Sequence, residues 1–412
     1  MKLSEELKLR GFIKQSTAED LSGVLDDEKR NVYYGIDPTA DSAHVGNFVN
    51  WIFLKHLSNQ GHKIVFLVGG GTGMIGDPKP DAERVLVDRA TIAERVEKIK
   101  SQAEKFFGQN KVEFVDNYDW LSNFKLIDFL RDVGKYFTVN ELIKKEAIAK
   151  RLESEIGLSY TEFAYPLLQA YDYLQLFRSK NCTLQIGGSD QWGNLVAGVD
   201  LVRRLENKVV HAITMPLVVD KTTGKKFGKS EGNAIWIDSG KTTPYAFYQF
   251  WLNVSDDGVV DYLKLYTFLT LEEIDRLDEM VKTHPETREA QKVLAKEVTV
   301  LVHGETVFEK VKKATECLFG QVSLSELKDE ELDILKQNAP LTALVDGTLV
   351  VDGLLETGLA SSKREAREFL ENGSVSVGGS KVGVDYVFDK EKNGNLLYLR
   401  RGKKHMVLVE IK

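Results

Sequence analysis

The chain has 412 residues, 42% hydrophobic and 28% charged, enough for two to four domains with real cores. It contains no run of 18 apolar residues to span a membrane, no apolar leader in Met1–Glu6, and only two cysteines, Cys182 and Cys317. Those counts exclude a disulfide framework and a cysteine metal site, and the expectation is a cytoplasmic protein without membrane contact.

The net charge of −7 is unevenly placed. Gly358–Lys412 carries 11 basic against 7 acidic residues, so the remainder of the chain holds −11. An acidic body with a basic tail is a pattern that suits nucleic-acid binding by the tail.

Taken in chain order, Asn31–Ile36 is a β-branched and aromatic run closed by Asp37-Pro38-Thr39, which predicts a strand. From Gly46 to Asn59, Phe48, Val49, Ile52 and Phe53 recur at helical spacing until Gly61 stops the helix. Lys63–Val68 is a second buried strand. Strand, helix and strand in this span make a βαβ unit, hence a parallel sheet with ligands at its C-terminal edge. Further strands are predicted at Val112–Val115, Thr183–Ile186 and Leu217–Val219, with helices between them.

After residue 244 the periodicity is helical, as in Leu271–Leu277 and Arg288–Val302. An acidic, weakly patterned stretch at 321–345 reads as a linker. Ser361–Leu370 then predicts a capped basic helix, and Ser374–Val382 a hairpin turning at Gly378-Gly379. The fold class is α/β: a Rossmann-like catalytic domain over 1–220, a lysine-rich loop region at 221–245, a helical domain at 246–320, the linker, and an α+β domain at 346–412.

Two motifs about 180 residues apart carry the chemistry: His44-Val45-Gly46-Asn47 and Lys226-Phe227-Gly228-Lys229-Ser230. The first places an imidazole, a glycine and an amide at a helix N-terminus, which favours anions. The second puts two lysines and a hydroxyl on a glycine-bearing loop. Together they fit a triphosphate whose α-phosphate is attacked. Gly71-Thr72-Gly73-Met74-Ile75-Gly76 matches GxGxxG, but Pro78 and Pro80 follow at once and prevent the helix a dinucleotide site needs. It reads instead as a glycine floor letting a substrate lie against the backbone, with Asp77 at its edge. Tyr165, Gln169 and Asp172 share a helix face, and Gln185–Asn194 predicts a strand end, glycine turn and polar helix start.

These segments resemble the bacterial tyrosyl-tRNA synthetase family, of class I. YxGxDPTADSxHxGN, LVGGGTGMIGDP, LLQAYDY, LQIGGSDQWGN, KFGKS and the basic tail occur in family order along the whole chain. The two lysine- and histidine-bearing motifs are similar to the class's HIGH-like and KMSKS-like signatures, and the tail to the ribosomal-protein S-four type RNA-binding domain.

The resemblance implies that Thr39, His44, Asn47, Lys226, Lys229 and Ser230 serve catalysis. Tyr33 and Asp172 would meet the tyrosine phenol, Asp77, Tyr165 and Gln169 its ammonium, and Gln191 its carboxylate region. Asp37, Gly46, Gly188, Asp190, Lys79 and Arg84 would contact ATP. Lys363, Arg364, Arg367, Arg400, Arg401, Lys403 and Lys404 would bind RNA. Asn47 stands where many members have a second histidine, and the Asp77–Arg84 loop is shorter than in some.

The implied reaction needs no protein nucleophile, because the amino acid's carboxylate attacks ATP. Magnesium comes with ATP, and no resident metal or tightly bound cofactor is expected. The implied partners are L-tyrosine, ATP, tRNA(Tyr) and a second copy of the chain, with Asp119–Ile143 as dimer face. A tryptophanyl-tRNA synthetase is the alternative within the class and should lack the basic tail. A synthetase-derived RNA-binding or splicing factor is the alternative outside it, against which Lys226, Lys229 and His44 argue.

Overall fold

The computed structural model describes every residue except 80–81, 109–110, 226, 231–232, 320 and 403–404. It divides into two compact units, Met1–Thr242 with Trp251–Val298, and Thr243–Phe250 with Thr299–Lys412.

The first unit is built on a six-stranded sheet: β1 Gln15–Ser16, β2 Asn31–Ile36, β3 Lys63–Val68, β4 Val112–Asp116, β5 Cys182–Gly188 and β6 His211–Met215. Its order is β1-β6-β5-β2-β3-β4, parallel except for β1 against β6. Ile64–Val68 is buried at every position, the continuous apolar run of a strand covered on both faces. The order reverses between β2 and β5, so the crevice beyond their C-terminal ends is where such a sheet receives its ligand.

The predicted strand at Leu217–Val219 is not a member of this sheet. The sixth strand lies at His211–Met215, and Pro216, which has no N–H to give a ladder, ends it. The helices Tyr160–Lys180 and Trp192–Glu206 cover β5 from one side. They approach closely at Gly198, where a Cβ would lie 3.0 Å from the ring of Tyr173.

Helices Pro244–Leu252, Asp256–Tyr266, Leu271–Thr283, Glu289–His303 and Glu305–Leu318 fill the segment read as helical. The second unit contains a five-stranded sheet from β9 Leu341–Leu344, β10 Val375–Val377, β11 Ser380–Lys381, β12 Leu396–Arg401 and β13 His405–Ile411. The order is β11-β10-β12-β13-β9, with β9 parallel to β13. Leu354, Ala366, Leu370, Val375, Phe388, Leu399 and Val409 form its core. Ser362 caps helix Lys363–Glu371 by accepting from Glu365 N–H, and Gly378 and Gly379 both take positive φ in the β10–β11 turn.

The stretch 321–345 differs from the linker its composition implied. It holds helix Asp329–Asn338 and strand β9. Its acidic residues Asp329, Glu330 and Glu331 occupy the first helical turn, where they complement the helix dipole. Leu335 is buried in a cluster with Tyr398 and Leu408, a partnership with β12 and β13 that the local sequence does not display. Among the described residues no helix is long and apolar enough to cross a membrane.

Candidate active site

The C-terminal end of β2 leads through Asp37 into His44, which is the N-cap of helix Val45–Asn59. Asn47 N–H donates to His44 Nδ1 at 3.2 Å, and His44 N–H donates to Asn47 Oδ1 at 3.3 Å, a reciprocal capping box. With Nδ1 accepting, the imidazole proton sits on Nε2 in the neutral ring, which makes Nε2 a donor. Gly46 is needed here, because a Cβ would come within 2.9 Å of the His44 ring. Asn47 therefore orients the histidine, with its side-chain carbonyl oxygen engaged in the cap.

The lysine-bearing segment is stitched to this helix start by its backbone. Val45 N–H donates to Ile235 O at 2.9 Å, Ile237 N–H to Ala43 O at 3.0 Å, and Ile235 N–H to Gly228 O at 2.9 Å. Gly228 has φ +72, and a Cβ on it would lie 2.1 Å from Val45 Cγ2, so only glycine fits. The Phe227 ring stacks on Tyr262 at 4.1 Å and anchors the loop's base. Lys226 lies outside the described residues. Lys229 and Ser230 form strand β7, paired with β8 Asn233–Ala234, and only their backbone is described. The two motifs, distant in sequence, are thus neighbours in space.

A buried polar chain runs along the C-terminal edge of the sheet. Tyr165 Oη donates to Asp37 Oδ2 at 2.7 Å, and Thr72 Oγ1 donates to Asp37 Oδ1 at 2.7 Å. Asn117 Nδ2 donates to Thr72 Oγ1 at 2.8 Å and to Asp172 Oδ2 at 2.9 Å, and Trp120 Nε1 donates to Asp172 Oδ1 at 2.7 Å. Asp172 is 1% exposed, and no cation pairs with it among the described residues. Burial pushes its carboxyl up to about 8, against the lowering by Asn117 and Trp120. Burial likewise raises Asp37 to about 6, though Thr72 and Tyr165 donate to it. Tyr33 is buried with its ring against Tyr173, and burial, with the charges of Asp172 and Asp37, holds its phenol well above the ordinary value.

Asp77 closes the other side. Gln191 Nε2 donates to its Oδ2 at 2.9 Å and Asn194 Nδ2 to its Oδ1 at 3.1 Å, while burial raises its pKa. Gln169 Oε1, on the same helix as Tyr165 and Asp172, is buried with no partner among the described residues. Gly188 ends β5, and Asp190 is exposed in the turn that follows. Three carboxyls with raised pKa and an unpartnered buried amide oxygen are gathered along this edge of the sheet, groups that a cation or an O–H donor would satisfy.

The glycine floor works differently from the sequence reading. Cβ atoms on Gly71, Gly73 and Gly76 would lie 3.1 Å from Leu121 Cδ1, 2.9 Å from Pro38 Cδ and 2.9 Å from Arg84 Cγ. The protein's own side chains fill that space. Only the short 3₁₀ turn Thr72–Met74 follows, so among the described residues these glycines open no dinucleotide-type helix.

Asn117, Trp120, Thr72 and Asn194 were not singled out from sequence. Asn117 and Trp120 follow the C-terminal end of β4, a position that the rule for ligand placement in parallel sheets could have flagged. Of the phosphate candidates, Lys79 is exposed, and Arg84 donates from Nε to Asp77 O at 2.6 Å.

In the second unit, Lys363 pairs with Asp352 at 2.6 Å, and Arg364 and Arg367 are exposed on the same helix. Arg400 donates to Leu318 O at 2.8 Å, and Arg401 donates to Leu359 O at 2.7 Å and covers the Phe369 ring. Both guanidinium groups are thus engaged by the protein. Lys403 and Lys404 lie outside the described residues.

A parallel sheet with its ligand crevice at the β2–β5 switch, a histidine-capped helix and a lysine loop stitched to it define a class I synthetase site. The family model for tRNA synthetases class I (W and Y) matches residues 26–320, and that for the tyrosine–tRNA ligase SYY-like C-terminal domain matches 331–409. The chain is 48% identical to the tyrosine–tRNA ligase of Lactococcus lactis subsp. lactis over 98% of both chains. It is 47% identical to that of Streptococcus mutans over the same shares. A C-terminally truncated mitochondrial tyrosyl-tRNA synthetase from Aspergillus nidulans superposes with a TM-score of 0.68 at 29% identity, covering 77% of this chain and 94% of that one. The chain belongs to the class I tRNA synthetases of the tryptophan and tyrosine group, among the tyrosine–tRNA ligases. The C-terminal match also separates it from the tryptophan alternative, which was expected to lack the tail.

Proposed function

We propose that this chain joins L-tyrosine to ATP, releasing pyrophosphate, and then transfers tyrosine from the adenylate to the terminal ribose of tRNA(Tyr). The observation that carries the tyrosine reading is Asp172, a fully buried carboxyl held by two neutral donors and no described cation. A phenol O–H supplies the hydrogen bond such a group lacks, and phenylalanine cannot. Asp77, Tyr165 and Gln169 receive the ammonium, and Gln191 reaches the carboxylate region.

The tyrosine carboxylate attacks the α-phosphorus, the bond to the β-phosphate oxygen breaks, and pyrophosphate departs with its electron pair. His44 Nε2–H, the helix N-terminus behind it and the lysines of the 226–230 loop meet the charge that develops. Magnesium arrives on the ATP phosphates. The exposed basic face Lys363, Arg364 and Arg367 supports tRNA contact by the C-terminal unit.

Leu126 and Ile127, 71% and 70% exposed, with Val139 and Ile143 give the 119–143 segment an apolar surface that favours a homodimer there. Two buried, unpaired cysteines fit a cytoplasmic setting.

The deciding experiment is ATP–pyrophosphate exchange with tyrosine, phenylalanine or tryptophan. Exchange with tyrosine alone supports the reading. Exchange with tryptophan, or with none of the three from folded protein, overturns it. Removing residues 329–412, so that helix Asp329–Asn338 and β9 leave with their sheet, should abolish tRNA charging and leave exchange intact.

A further inference from the structure

The segment from Asp77 to Arg84 has no regular secondary structure among its described residues, yet it carries three candidate site residues, Asp77, Lys79 and Arg84. Something must meet its main-chain groups. That role falls to Arg151 of helix Glu146–Glu153, whose side chain is 0% exposed. Its Nη1 donates to Lys79 O at 3.0 Å and to Ala82 O, and its Nη2 to Gly157 O at 2.6 Å.

The same fork is bidentate to Glu162, Nη1 to Oε1 at 3.2 Å and Nη2 to Oε2 at 3.1 Å. Glu162 Oε1 also accepts from Arg84 N–H at 3.3 Å. Glu162 is itself fixed at the start of helix Tyr160–Lys180, where Ser159 Oγ accepts from its N–H and donates to its Oε2. Arg84 then lies across Gly76, whose φ of +85 admits no side chain, and donates from Nε to Asp77 O.

A buried ion pair is a poor way to add stability, since desolvation offsets its attraction. What it supplies is direction: a rigid fork that here reaches two carbonyls of this loop, Lys79 O and Ala82 O, and Gly157 O beside them. We propose that the Arg151–Glu162 pair positions the Asp77–Arg84 loop, holding Arg84 toward the polyphosphate of ATP without touching substrate. The proposal rests on the reading that this loop meets ATP. Both side chains are buried and paired with each other, so both are positioning residues. The Asp77 carboxylate is held by Gln191 and Asn194 rather than by the Arg151–Glu162 pair, so the tyrosine end should feel their loss less than the ATP end.

The test uses Arg151→Lys and Glu162→Gln in the full-length protein. Lysine keeps the charge and loses the fork, and glutamine keeps the shape and loses the charge. Tyrosine-dependent exchange should show the KM for ATP raised about ten- to a hundred-fold in both. The Kd for tyrosine should stay within about two-fold, while Glu162→Gln, which leaves the buried guanidinium without its counter-charge, should lower the melting temperature more than Arg151→Lys. An unchanged KM for ATP, or a tyrosine affinity that falls as far, overturns the proposal.

Arg84→Ala separates this from the reading beneath it. If Arg84→Ala leaves exchange unaltered, the loop does not meet ATP and the underlying reading fails. If Arg84→Ala is damaging and Arg151→Lys adds little to it, the pair acts through Arg84. Full additivity of the two overturns the positioning role.

Discussion

The two ends of the site, the one proposed for tyrosine and the one proposed for phosphate, are built by opposite means. At the tyrosine end, Asp37, Thr72, Asn117, Trp120, Tyr165 and Asp172 form a closed chain of hydrogen bonds between side chains from four separate elements and their loops. At the phosphate end, main-chain groups take part in each described contact: a capping box with the His44 and Asn47 side chains, a β-bridge between His44 and Trp236, and glycines at 46 and 228 where no Cβ fits. Selecting a phenol requires a fixed, desolvated acceptor, because discrimination depends on the cost of leaving it unpaired. Meeting charge that develops on a phosphate requires donors that follow the reaction, which loops provide.

Lys229→Ala should lower the rate of adenylate formation by about 10²–10³-fold, the cost of one donor to a developing charge, and leave the tyrosine Kd within about two-fold. A pure loss of tyrosine binding would erase the division between the two ends. Asp172→Ala should reduce the preference for tyrosine over phenylalanine about a hundred-fold in exchange assays. An unchanged preference would remove Asp172 from the phenol contact.

Asn117→Ala withdraws one of the two donors that keep Asp172 oriented. The preference should fall about ten-fold, while the KM for ATP does not move, because Asn117 belongs to the tyrosine end alone. Movement of both constants would show that the ends are one network.

The smallest effect is on pH. Asp172 has a folded value of about 8, above the ordinary 3.8, so the stability contributed by its protonated form is complete below about 4 and lost as pH rises through about 8. If tyrosine donates to the ionised form, its affinity should increase about five-fold between pH 7 and 8 and then level off. Titrations across that range should show the rise, and Asp172→Asn should flatten it.

Much of this molecule is legible in the chain itself. The βαβ unit from Asn31 to Val68, the His44–Asn47 cap, the Gly-Gly hairpin and the helical stretch after 244 depend on neighbours within a few residues. Hydrophobic periodicity, capping and turn chemistry therefore reveal them. The spacing of Tyr165, Gln169 and Asp172 likewise predicts that one helix carries all three.

Other features are invisible locally. Asn117 and Trp120 reach Asp172 across 55 and 52 residues, and Arg151 reaches Lys79 across 72. Leu217–Val219 has a strand's composition but follows Pro216, and the acidic stretch at 329–331 is the first turn of a helix whose apolar face meets β12 and β13. The sequence by itself determined which backbone groups are pre-shaped for an anion, since glycine, cap and turn preferences act within one or two turns of chain. Only the tertiary structure decided which polar side chains are buried together, because the cost of burying a carboxylate or a guanidinium is set by the partners the fold brings to it.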